Sequence, residues 1–259
     1  MNKDILNNIS NPSVFEENRL PAHSDHRVYA NKSELLRGSS SLCCSLNGVW
    51  KFDYSINLSC TPDGFEALDY DCKNWEDIRV PAHIQMEGYD RPHYANVAYP
   101  WDGRQALKSG EAPTDFNPVG NYVKYFTLPK NFLKDSLILR FEGVESAAAI
   151  WLNGHYIGYC EDSFTPSEFD LTKYVVEGEN KLAIQVTKWC AGSWLEDQDF
   201  FRFSGIFRDI YLYTKPKCHL EDIEIKQVFE KGSFDNVKLN LSIDLNNNAT
   251  VALKLFDAM

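Results

Sequence analysis

From Leu46 onward, bulky apolar and polar residues alternate with a period of two in short stretches. In Val49–Tyr54, the rings of Trp50, Phe52 and Tyr54 alternate with Val49, Lys51 and Asp53; in Lys181–Val186, Leu182, Ile184 and Val186 fall on one face. Successive side chains of a strand point to opposite faces, so this pattern predicts half-buried β-strands. Similar runs predict strands over Tyr122–Leu128, Ser136–Phe141, Ala147–Leu152, His155–Tyr159 and Phe207–Tyr213, separated by Gly, Pro, Asn and Asp. Asn153-Gly154, between Ile150-Trp151-Leu152 and His155-Tyr156-Ile157, predicts a two-residue hairpin turn with positive φ at both positions. Helical periodicity never persists for three turns, which argues against a doubly wound α/β sheet or a helical bundle.

The chain before this strand text mixes polar and turn-forming residues, as in Asn11-Pro12, Arg19-Leu20-Pro21 and Ser39-Ser40-Ser41. It reads as an extended arm over 1–44 with one short helix. Asn31 is the N-cap of that helix, Glu34 its third helical position and Gly38 its stop. A Pro-containing, charged linker at Thr214-Lys215-Pro216-Lys217 marks a boundary. The expected organisation is therefore an arm over 1–44, an all-β sandwich over 45–217 and the first strands of a second sandwich over 218–259. Those strands read over Ile223–Phe229, Asn236–Ile243 and Thr250–Leu255, three of the ~7 that an immunoglobulin-like sandwich needs.

Composition narrows the function classes. Of 259 residues, 44% are hydrophobic and 14% aromatic, ample for a packed core. Lys and Arg total 26 against 37 Asp and Glu, a net charge of −11 that disfavours nucleic acid and anionic membranes as partners. No apolar run approaches the ~18 residues of a membrane span. The amino terminus has no apolar targeting core, which makes the cytoplasm the default expectation. Seven scattered cysteines without a C-x-x-C pair read as reduced thiols. The six histidines, His23 and His26 included, read as surface or loop residues, and phosphate-loop, nucleophile-elbow and metal-helix signatures are absent.

Two segments interleave polar groups with rings. Gly192–Asp209 holds four carboxylates, two guanidinium groups and five aromatic rings in 18 residues. Such a set suits a carbohydrate cleft, where carboxylates accept from hydroxyls and rings cover the apolar face of a pyranose. A structural Arg–carboxylate network at a domain edge explains the same composition equally well. Pro92–Trp101 reads as an extended loop in which Asn96 offers both donor and acceptor. An Asn capping its own turn is the simpler alternative.

Leu195-Glu196-Asp197-Gln198-Asp199, followed by Arg202-Phe203-Ser204-Gly205-Ile206-Phe207-Arg208-Asp209, resembles the amino-terminal region of the large bacterial β-galactosidases of glycoside hydrolase family 2. Glu17–His23, Ser45–Phe52, Val80–Asp90, Tyr94–Pro100 and Trp151-Leu152-Asn153-Gly154 through Leu171 are similar to family blocks in the family's order. The resemblance implies a jelly-roll (galactose-binding-like) β-sandwich, followed by an incomplete immunoglobulin-like sandwich. It implies that the (β/α)₈ barrel with both catalytic glutamates lies outside this chain, so that the chain holds no catalytic residue and is inactive alone. It also implies that Asn96 and Val97 reach the galactosyl subsite and that Asp199 contacts substrate and a sodium ion, a partial site needing the barrel. Magnesium is implied only for the full-length enzyme. The implied partners are galactosides, a catalytic barrel in cis or on a second subunit, and further copies in a full-length homo-oligomer. The alternative is a stand-alone carbohydrate- or partner-binding jelly-roll module.

Overall fold

Strand-forming residues dominate the chain, and its two largest sheets are antiparallel. In the computed structural model, which describes residues 3–129, 132, 135–196, 198–231, 234 and 236–256, the strands in chain order are β1 (Glu16–Glu17), β2 (Cys43–Ser45), β3 (Gly48–Ser55), β4 (Glu76–Val80), β5 (His93–Tyr94), β6 (Val119–Thr127), β7 (Ser136–Phe141), β8 (Ala147–Leu152), β9 (His155–Cys160), β10 (Ser167–Asp170), β11 (Glu179–Thr187), β12 (Phe201–Arg202), β13 (Ile210–Lys215), β14 (Leu220–Phe229) and β15 (Val237–Leu245). A seven-stranded sheet runs β1-β9-β8-β11-β6-β3-β4, and a four-stranded sheet runs β10-β7-β13-β2. The chain is all-β, as its periodicity predicts. Asn153 and Gly154 take φ values of 52° and 80°, the positive pair that the β8–β9 turn requires.

The half-buried expectation for Lys181–Val186 needs correction, because β11 is buried on both faces. Leu182, Ile184 and Val186 face the core between the two sheets, together with Trp50, Phe52, Ile150 and Phe169. Ala183 faces a second apolar cluster that includes Ile5, Ile9, Phe65, Ala149 and Trp151. Residues of a short amino-terminal helix, α1 (Lys3–Asn8), and of the connection before β4 therefore cover the far face. This double coverage explains why Ala147–Leu152 is apolar at every position. It also buries Lys181, whose ammonium donates to Ala67 O at 2.5 Å and Tyr70 O at 3.2 Å.

Two compact units divide the chain: 1–21 with 43–214, and 22–42 with 215–259. The segment read as a single arm is thus shared between them. Within the second unit, α2 (Lys32–Arg37) has the predicted caps: Asn31 accepts from Glu34 N, and Gly38 adopts φ 68°. Glu34 also accepts from Ala30 N, Ser41 N and Ser41 Oγ, fastening the loop around the helix. The second unit also contains the β14–β15 hairpin. Its cross-strand pairs Ile223–Ile243, Ile225–Leu241 and Phe229–Val237 lie on one face. Thr250–Leu255, expected as a third strand, is not a strand. Alternation gives that segment an apolar face, but a strand also requires a neighbour to receive its backbone hydrogen bonds.

Candidate functional site

The two ring-and-polar segments meet in space. β5 and β12 pair antiparallel, setting Tyr94 opposite Phe201 and His93 opposite Arg202. Their register brings the loop after β5, with Asn96 and Val97, toward the loop before β12, with Asp199. The Tyr94 hydroxyl donates to Asp199 Oδ1 at 2.5 Å and also meets the Asn96 side chain. The hydrogen bond to the Asp199 carboxylate raises the Tyr94 phenol's pKa, because it holds the proton that ionisation would remove. Asp199 and Asn96 are exposed, and Val97 is 95% exposed. Two of the three expected site residues therefore share one hydroxyl, whereas the Val97 side chain points into solvent. Asp197 lies outside the described residues.

Backbone clamps hold the Asp199 loop. The Arg202 guanidinium donates to the carbonyls of Glu196 and, at 3.0 Å, Gln198. Downstream, Ala82 N and Ile84 N donate to Ile206 O and Ser204 O, while the buried Gln85 amide bonds both the backbone and the hydroxyl of Ser204. Gly205 and Glu145 exchange backbone hydrogen bonds of 2.9 and 3.0 Å. Of the remaining charged groups in this segment, Arg208 donates to Phe164 O at 2.7 Å and Asp209 accepts from Asn47 at 2.9 Å. These bonds turn a carboxylate-rich segment into a supported loop, with Asp199 left on its exposed side.

Aromatic rings line the base of the paired loops. Tyr99 and Trp101 stack at 5.1 Å and 7°, and Trp194 lies 4.5 and 5.0 Å from them. Tyr99 Oη donates to Trp194 O, and Trp194 Nε1 donates to Glu111 O, so the ring cluster also joins the two segments. Trp101 lines a small hollow with Glu145, Lys188, Glu196 and Arg202. Burial, followed by the Glu196 charge, pushes the Glu145 carboxyl up to about 8. Burial pushes Glu196 up to about 7, even though the Ser163 hydroxyl donates to it. The Lys188 ammonium, whose pKa burial lowers, lies 2.5 Å from Asp90 Oδ2.

Sequence reasoning missed Glu145 and Lys188, which belong to no local motif, and gave no role to Asp90 at the end of the Val80–Asp90 block; the three converge only through the fold. It also placed every histidine on a surface or loop. His83 does lie on a loop, partly exposed, but it packs between Phe203 and Phe207 at 4.7 and 5.0 Å, and burial lowers its pKa. The only advance signal was the apolar and turn-forming context of Val80-Pro81-Ala82-His83-Ile84.

A two-sheet antiparallel sandwich that gathers a carboxylate, an amide and aromatic rings on paired loops has the build of a sugar-binding β-sandwich domain. The chain belongs to the family described as glycosyl hydrolases family 2, sugar binding domain, whose family model matches residues 43–216. The β-galactosidase of Halalkalibacterium halodurans is 50% identical over 250 residues, covering 95% of this chain and 25% of that protein. The β-galactosidase large subunit of Latilactobacillus sakei is 48% identical over 256 residues, covering 93% of this chain and 40% of that protein. The solved β-glucuronidase of Ruminococcus gnavus matches with a TM-score of 0.60 over 88% of this chain and 36% of that chain, and at 14% identity it shows the fold alone. The chain thus spans 25% and 40% of the lengths of these two curated relatives.

Proposed function

We propose that this chain is the sugar-binding amino-terminal part of a β-galactosidase that hydrolyses terminal β-galactosides with retention, acting with a catalytic barrel supplied in cis or by a second subunit. The observation that carries this reading is the convergence of Asn96 and Asp199 on the Tyr94 hydroxyl, within a chain about half identical to a β-galactosidase. In this role Asp199 and Asn96 accept from and donate to galactosyl hydroxyls, Val97 contributes backbone and apolar surface, and the Tyr99–Trp101–Trp194 cluster supports the loops. Retaining hydrolysis needs a carboxyl pair ~5 to 5.5 Å apart. In this proposal that pair comes from the barrel, and Asp199 is a binding group.

The carboxylate of Asp199 is a hard donor suited to an alkali cation, whose coordination shell requires several oxygens. Among the described residues, no three His, Cys, Asp or Glu side chains form a metal-holding cluster. We propose Asp199 as one sodium donor of a shell completed by oxygens supplied elsewhere, with magnesium bound only in the full-length enzyme. When the longer enzyme assembles further copies, the same domain accompanies each barrel.

The test is Asp199→Asn in the longer enzyme. It should lower kcat/KM for a chromogenic β-galactoside and blunt the response to sodium while leaving the sandwich folded. An unchanged kcat/KM with an unchanged sodium response would return Asp199 to a purely structural role.

A further inference from the structure

Beside β5 lies a concavity of about 230 Å³, lined by Asp90, Arg91, His93, Arg104 and Lys188, with Pro92 and Phe116 as apolar wall. It is separate from the Asn96–Asp199 pair, and its charge is unlike that of the whole chain. Lys188 is 1% exposed at its side chain and is already neutralised by Asp90 at 2.5 Å. Asp90 is the concavity's only lining carboxylate among the described residues. Arg91 and Arg104 are both exposed. Neither forms an ion pair among the described residues; Asp115, which lines a neighbouring hollow with Arg104, also leaves it unpaired. Among the described residues, two guanidinium groups therefore line one hollow without a carboxylate ion-paired to either, in a chain whose net charge is −11.

We propose that this concavity is a binding site for a tetrahedral oxyanion of the phosphate or sulfate class. Guanidinium groups present planar sets of donors matched to such oxygens. A dianion balances the two unpaired arginines, whereas a monoanion leaves an excess. With one water occupying ~30 Å³, the volume admits the anion together with part of its hydration. Arg104 lies 5.9 Å from the Phe116 ring centroid, a contact that limits the directions its guanidinium can take. His93 stands on the wall, held edge-on to Trp189 at 6.3 Å. Its pKa is lowered first by burial and then by Lys188, Arg104 and Arg91, against an opposing effect of Asp90. An anion bound there offsets that field and raises the His93 pKa, so the imidazole reports occupancy. The inference does not depend on galactoside chemistry.

The test is a titration of the 259-residue chain with inorganic phosphate at an ionic strength held constant with chloride, following the His93 imidazole resonances. A saturable shift and a raised His93 pKa are expected, with Arg91→Ala and Arg104→Ala each weakening phosphate by ~10-fold, as loss of a charge-assisted bond implies. Both side chains are exposed, so unchanged unfolding midpoints will show that the variants remain folded. Sulfate should compete with phosphate, and acetate should bind more weakly. The proposal is overturned if chloride alone produces the same shift, if both variants keep the parent affinity, or if acetate matches phosphate.

Discussion

The hydroxyl of Tyr94 donates to Asp199 Oδ1 across 2.5 Å, joining residues 105 positions apart in the chain. Because Tyr94 sits on β5 and β5 pairs with β12, strand register aims this bond. A shift of one residue would turn Tyr94 to the opposite face and release the carboxylate.

Tyr94→Phe removes the donor and keeps the ring packed against Phe201 at 5.6 Å. In the longer enzyme we expect a several-fold fall in kcat/KM, smaller than that of Asp199→Asn, with an unchanged unfolding midpoint. Steady-state kinetics of both variants and their double mutant should show non-additive losses, since the two residues act through one bond. Additive losses would mean that Tyr94 does not orient Asp199.

The 259-residue chain alone should not turn over a chromogenic β-galactoside. A single binding carboxylate cannot provide both leaving-group protonation and covalent capture. Turnover that co-purifies with the chain and is lost in Asp199→Ala would relocate the catalytic machinery into this domain.

Stability should fall as pH rises through neutrality. Glu145 and Glu196 have folded pKa values of about 8 and about 7, above the ordinary value of 4.5. Above pH ~4.5 the unfolded chain releases these protons while the folded chain retains them, so the unfolded state binds fewer protons and stability declines from there to pH ~8. Glu145→Gln should flatten this decline and stabilise the chain at pH 8 by roughly 1 to 3 kcal/mol, on the basis of ~1.4 kcal/mol per pKa unit and partial relaxation of the buried site. Urea unfolding of parent and variant at pH 5 and pH 8 checks the sign. An equal pH slope in both would show that Glu145 ionises freely in the fold.

Gly158→Ala should destabilise the first unit. A Cβ there would lie 2.5 Å from Glu17 O and 2.7 Å from the Phe169 ring, beside the antiparallel pairing of β1 with β9. We expect a loss of ~1 to 3 kcal/mol from overpacking, read as a lower urea midpoint with an unchanged slope.

Local pattern by itself located the longer strands β3, β6–β9, β11 and β13–β15 to within a few residues and determined where the β8–β9 turn falls and how α2 is capped, because pleat alternation, positive-φ turn residues and Asn/Gly caps act within a few residues of one another. The motif around Leu195–Asp209 likewise marked one wall of the candidate site. Only the tertiary structure decided that β11 is buried twice, since the residues covering its second face come from α1 and the connection before β4. The failed strand at Thr250–Leu255 has the same kind of cause: alternation describes a side-chain face, whereas pairing depends on a neighbour elsewhere in the fold. The union of Tyr94 with Asp199 and the Glu145–Glu196–Lys188 hollow arise from segments tens of residues apart, and the hollow lined by Arg91 and Arg104 is completed by Lys188 from a distant segment. Their pKa shifts and unpaired charges come from burial and proximity in three dimensions, which linear spacing does not encode.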